Sequence, residues 1–177
     1  METAIILFSI IQSMGISLGV GSSTLAIVNF FYAIADGKID ETERNFMGVT
    51  YTVLRVAMGI IFVSSLLLSI FGYLYKGDDY FTNYNVAQVF LVAILFTNAL
   101  LMTVKLMPST FGPAIQASTW YTLGFIMALV PLELSDFCLT NFFLAYVTFV
   151  VLAVAFINGV MSYLKAKREE KSTTTAV

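Results

Sequence analysis

Residues 15–55 read GISLGVGSSTLAIVNFFYAIADGKIDETERNFMGVTYTVLR. An apolar segment rich in glycine and serine runs into a short acidic turn, and a second apolar segment leaves it carrying Arg55. Two apolar segments joined by so short a turn must lie side by side as an antiparallel helical hairpin. The pattern recurs outward along the chain as apolar runs of roughly 20 residues, the length that crosses about 30 Å of hydrocarbon. Hydrophobic residues make up 59% of the 177 and charged residues 11%, against roughly 25% charged in an average soluble domain. So little polar surface cannot cover a water-soluble globule. The reading is an all-α integral membrane bundle of five transmembrane helices, with residues 1–164 as one membrane-embedded domain and 165–177 as a polar, disordered cytoplasmic tail.

The expected helices run from Thr3 to Ala35, from the acidic turn to Tyr75, from Val86 to Met107, from Ala114 to Val130 and from Phe137 to Leu164. The first two exceed one straight crossing, so they must tilt, kink or protrude. The first run lacks a basic leader and a small-residue cleavage site, and reads as a retained helix. Gly15 and Gly19 form a GxxxG pair that lets another helix approach closely. Ser65, Ser69 and Gly72 form a second small-residue stripe. Such stripes allow a homo-oligomer.

Lysine and arginine concentrate in cytoplasmic loops. Five spans put Lys38, Arg44, Lys105, Lys165, Lys167, Arg168 and Lys171 on one side and Lys76 alone on the other. The expected orientation is N-terminus out and C-terminus in, in a bacterial inner membrane. The formal net charge of −2 gives no reason to expect nucleic acid as a partner. The lipid bilayer is the expected partner, and a soluble one is not identifiable. There is no histidine, which removes the commonest general base and the usual haem ligand. The single Cys138 excludes an internal disulfide. With no paired carboxylates inside a span and no phosphate-binding glycine loop, the chain is not read as an enzyme, and no catalytic residue or cofactor is assigned.

Two places remain. Arg55 lies within an apolar helix, where an arginine costs about 2.5–3.5 kcal/mol at mid-bilayer. A turn centred near Ile39 and Asp40 puts Arg55 level with Thr24, Gly59 with Val20 and Asn29 with Thr50. Arg55, Ser22, Ser23, Thr24 and Asn29 are thus the candidate ligand-binding residues for an anion or polar solute. Alternatively, Arg55 snorkels to the interface and locks the hairpin. The second place is the turn itself. Asp40 and Glu43 form a capping-box pattern, and Gly37 suits a helix end. ADGKIDETE resembles the second half of an EF-hand calcium loop. It is also similar, over about a dozen residues, to the A-x-A-D-G-x-I-D-x-x-E stretch of tellurite-resistance TerB-type helical domains. The resemblance implies a divalent cation on Asp36, Asp40 and Glu43. Tyr32 and Ile34 stand where the first two carboxylates belong, so water would have to complete the six to eight oxygens that calcium requires.

The amides Gln12, Gln88, Asn98, Gln116, Asn141 and Asn158 distribute over the helices, and amides in lipid must find partners. Glu133 and Asp136 are expected to cap the last helix. Two functions follow. One is a small-solute or ion transporter or channel-like subunit with a polar site between helices 1 and 2. The other is a non-catalytic membrane scaffold or interaction protein with a purely structural hairpin.

Overall fold

The computed structural model describes residues 2–36, 40–107, 111–132, 134 and 136–175, with the backbone alone described at 34–36, 169 and 171–175. These residues build five α-helices and no described strand: α1 (Glu2–Asp36), α2 (Glu41–Lys76), α3 (Asn83–Thr103), α4 (Phe111–Leu129) and α5 (Leu139–Thr175). Short 3₁₀ turns at Gly77–Tyr80 and Val130–Leu132 follow α2 and α4. All five helices are long and apolar enough to cross a membrane. The expectations that rested on Gly37, Lys38, Ile39, Pro108 and Glu133 lie outside the described residues.

The helix ends follow from local chemistry. Asp40 starts α2 with a full capping box: its Oδ1 accepts from Glu43 N at 2.6 Å, and Glu43 Oε2 accepts from Asp40 N at 3.2 Å. Thr82 caps α3 through Asn85 N at 3.3 Å, so α3 starts three residues before the expected Val86. It also ends early. Leu106 N donates to Leu101 O and Lys105 N to Met102 O, with Lys105 at a φ of 58°. That pair of bonds is a Schellman motif, with lysine at the position where glycine is usual. Pro113 lies in the first turn of α4, where a missing N–H costs nothing. The helix at the C-terminus continues to Thr175, well past the expected Leu164. Lys165–Lys171 is composed of strong helix formers, Ala, Lys, Arg and Glu. Asp136, expected as a cap, lies two residues outside Cys138, whose carbonyl accepts the first α5 bond from Phe142 N.

The α1–α2 hairpin forms as expected. Phe8 stacks on Phe71 at 5.7 Å, the register predicted, and Gln12 Nε2 donates to Ser65 Oγ at 2.7 Å, two positions from it. The centre of the bundle is α4. It packs on α1, α3 and α5 and buries Ala114, Ala117, Ser118, Thr119, Trp120 and Leu123. Small residues let neighbours approach its axis, and its hydroxyls are satisfied by their own helix: Ser118, Thr119 and Thr122 donate to the carbonyls of Ala114, Ile115 and Ser118. Tyr146 of α5 then donates to Thr119 Oγ1 at 2.8 Å, because the threonine hydrogen is already used.

The GxxxG pair serves two partners. A Cβ on Gly15 would stand 2.8 Å from Ile60 Cγ2 of α2, while one on Gly19 would overlap the six-membered ring of Trp120 of α4. Trp120 is fully buried, as are Ile16, Ile61, Leu91, Leu95 and Leu123 around it. The outer faces carry Leu144, Val147, Val151, Leu152 and Phe156 of α5 exposed. A largely apolar exterior of this kind suits an apolar surrounding.

Candidate functional site

A cavity of about 590 Å³ lies between all five helices at the end of the bundle where α3 stops and α4 starts. Ser23 and Phe30 of α1, Arg55 of α2, Phe96 of α3, Gln116 of α4 and Ile157 of α5 reach its wall. Helix geometry brings them level. Thr103 and Pro113, at the ends of α3 and α4, line the same cavity, so Arg55 stands at the level where those two helices turn around.

The expected site residues separate into groups. Arg55 and Ser23 share this cavity. The guanidinium of Arg55 is exposed at the rim and forms no ion pair or hydrogen bond among the described residues. Ser23 is 3% exposed, and its hydroxyl has no partner among them. A buried serine in a helix ordinarily donates to the carbonyl four residues back, as its neighbour Ser22 does to Leu18 O at 2.6 Å. Ser22 therefore spends its donor within α1 and does not line the cavity. Thr24 is exposed, donates to Val20 O at 2.8 Å and accepts from Tyr121 of α4 at 2.8 Å. It is a strut between helices. Asn29 lies further along α1, in a separate cleft of about 200 Å³ with Thr42, Glu43 and Phe46. Its Nδ2 is buried with no acceptor among the described residues.

The floor of the Arg55 cavity carries an amide chain. Asn98 Nδ2 donates to Gly112 O at 2.9 Å and to Gln116 Oε1 at 3.0 Å, and Gln116 Nε2 contacts Met58 Sδ at 3.3 Å. These are interhelical bonds between α3, α4 and α2. Asn98 Oδ1 is buried without a donor among the described residues. Among the described residues, no acidic side chain lines the cavity.

In the acidic turn the carboxylates of Asp40 and Glu43 are engaged with backbone N–H groups at the start of α2. The side chain of Asp36 lies outside the described residues. No group of three or more Cys, Asp or Glu side chains is placed to hold a metal ion among the described residues.

Sequence reasoning missed a second cavity. It measures about 1190 Å³ and lies between α1, α4 and α5 in the opposite half of the bundle, lined by Val20, Phe125, Phe142 and Phe149 with Cys138 and Asn141 at its end. Backbone N–H groups of Asn141 and then Thr140 point at the Cys138 sulfur and hold its thiol below the usual value. The one available signal was position: a cysteine just before a predicted helix start meets the free N–H groups of the first turn. On α4, Trp120 lies between Gln116, which lines the Arg55 cavity, and Tyr121, which lines the second one. Trp120 Nε1 has no acceptor among the described residues.

Comparison with family models, with curated proteins and with solved structures finds no match to the chain.

Proposed function

We propose that the chain is a five-span membrane protein, N-terminus out and C-terminus in, that carries or conducts a small solute through the Arg55 cavity as a transporter or channel-like subunit. A bacterial inner membrane is the proposed location, and no enzymatic role is proposed. The observation that carries the reading is a pair of polar groups without a partner among the described residues in one five-helix cavity, the Arg55 cation at the rim and the Ser23 hydroxyl on the α1 wall. Both are free to bond a ligand that enters the cavity.

The membrane frame supports the same position. From Lys76 to Arg55, α2 rises about 32 Å at 1.5 Å per residue, and α3 rises about 30 Å over its length. Arg55 and Lys105 thus fall together at the inner boundary of a bilayer about 30 Å thick. Beyond Arg55, α2 continues about 21 Å to Glu41, which explains why the first two helices are longer than a crossing needs. The cavity then faces the inner side and the Cys138 cavity the outer half.

Reconstituted in liposomes, the protein is expected to pass monoanions at a rate that falls about tenfold or more in Arg55→Gln, with an unchanged melting temperature. Flux that is indifferent to Arg55→Gln would remove the reading.

The scaffold reading also has an observation in its favour. The α1–α2 hairpin is bonded through Gln12–Ser65 and packed through Gly15 on Ile60, contacts that a purely structural hairpin requires. It predicts that Arg55→Gln changes nothing.

A further inference from the structure

We infer that the Arg55 cavity takes a monocarboxylate carried on a single apolar body, an inference that rests on the reading of this cavity as the solute site. Three features of the cavity point to that class. First, among the described residues it offers one cation and no acid. A lone guanidinium balances one negative charge, and its planar fork matches a carboxylate in bidentate fashion. Second, apart from Tyr51, Thr103 and Gln116 the remaining wall is apolar: Phe30, Leu54, Phe96 and Ile157 among others. A small hydrated anion would leave those side chains facing water, whereas an alkyl or aryl body covers them. Third, about 590 Å³ lies in the range of a single small-molecule site, too little for a two-chain lipid.

The placement of the polar groups orients the ligand. Arg55 is exposed at the rim, so the carboxylate sits at the mouth. Ser23, 3% exposed and without a partner among the described residues, lies on the wall contributed by α1. Its hydroxyl supplies the donor that a carboxylate oxygen accepts once the fork of Arg55 holds the other side. The apolar body runs inward between Phe96 and Ile157 toward the Asn98–Gln116 floor. Two sources share this chemistry: a fatty acid that enters from the bilayer and an aromatic or branched acid dissolved in the inner compartment.

The test is calorimetric titration of the full-length protein in phosphatidylcholine nanodiscs, with empty discs as the reference for partitioning. The probes are decanoate, decanol, 4-phenylbutyrate and acetate. Decanoate or 4-phenylbutyrate is expected to bind about tenfold or more tightly than decanol, and Arg55→Gln to abolish that margin. Decanoate alone binding identifies the bilayer as the source; 4-phenylbutyrate binding equally well identifies the soluble pool. Ser23→Ala, a substitution that removes no helix bond, is expected to weaken carboxylate binding roughly threefold. Where Arg55→Gln does not fold, Ser23→Ala and the cavity-filling Ala26→Leu carry the test, and both must weaken decanoate.

Decanol binding as tightly as decanoate overturns the inference, because the cation then contributes nothing. Acetate binding as tightly as decanoate, in an Arg55-dependent way, overturns the apolar-body class and leaves the solute site standing. No Arg55-dependent binding of any probe overturns both.

Discussion

Gly19 and Gly21 are two residues apart on α1 and differ in what stands over them. A methyl at Gly19 would occupy the same space as Cζ3, Cε3 and Cη2 of Trp120, whereas one at Gly21 meets nothing within 4 Å. The indole cannot swing aside, because Trp120 is fully buried among Ile16, Leu91, Leu123 and their neighbours. Gly19→Ala must therefore push α1 away from α4, and overpacking of this kind costs about 1–3 kcal/mol. Gly21→Ala removes a flexible residue from a helix interior and gains up to about 1 kcal/mol. The two variants should differ by about 1–4 kcal/mol, up to about three decades in the unfolding equilibrium. Unfolding in mixed micelles, followed by circular dichroism, measures this difference. A double-mutant cycle isolates its cause: in a Trp120→Leu background, where the ring is gone, Gly19→Ala should lose most of its penalty. Equal stabilities for Gly19→Ala and Gly21→Ala, or a cycle with no coupling, would refute the packing of α1 on α4 described above.

Asp40→Ala removes the α2 cap and should cost about 1 kcal/mol; since the capping carboxylates are engaged with backbone, millimolar calcium is expected to leave the wild-type melting temperature unchanged, and a calcium-dependent rise abolished by Asp40→Asn would restore the cation reading. Lys105→Gly relieves a left-handed residue at the α3 terminus and should stabilise by about 1 kcal/mol in a chemical melt; no gain would mean that α3 does not end in the Schellman turn. Asn98→Leu breaks the bonds to Gly112 and Gln116 and should cost about 0.6–1.7 kcal/mol, the range for interhelical bonds in bilayers, read as a loss of resistance to denaturant. The lowered Cys138 pKa means more thiolate at a given pH, so alkylation by iodoacetamide should reach half its maximal rate at lower pH in the folded protein than in urea; coincident profiles would show that the α5 N–H groups do not hold the sulfur.

Residue type and run length alone settled the number of helices, their apolar character and the hairpin of α1 and α2. These follow from local rules: 20 apolar residues form a helix wherever they are, Asp40 and Glu43 find the same N–H groups in any context, and a short turn forces its flanking helices together. The same rules located Arg55 and Ser23 on adjacent helices, because register within a hairpin is counted from the turn. They could not separate Ser23 from Ser22 and Thr24. All three are hydroxyls one residue apart, and the rotation of α1 about its own axis decides which faces a cavity, which bonds its own helix and which reaches Tyr121. That rotation is set by contacts far along the chain, through Trp120 on Gly19 and Tyr121 on Thr24. For the same reason the sequence could not show that α4, with the shortest expected span, is the bundle's centre, or that α3, α4 and α5 close the Arg55 cavity. Hydropathy measures how apolar a helix is and carries no information about which neighbour covers it. Only the packed bundle decides where five apolar surfaces fail to meet, and the two cavities are those places.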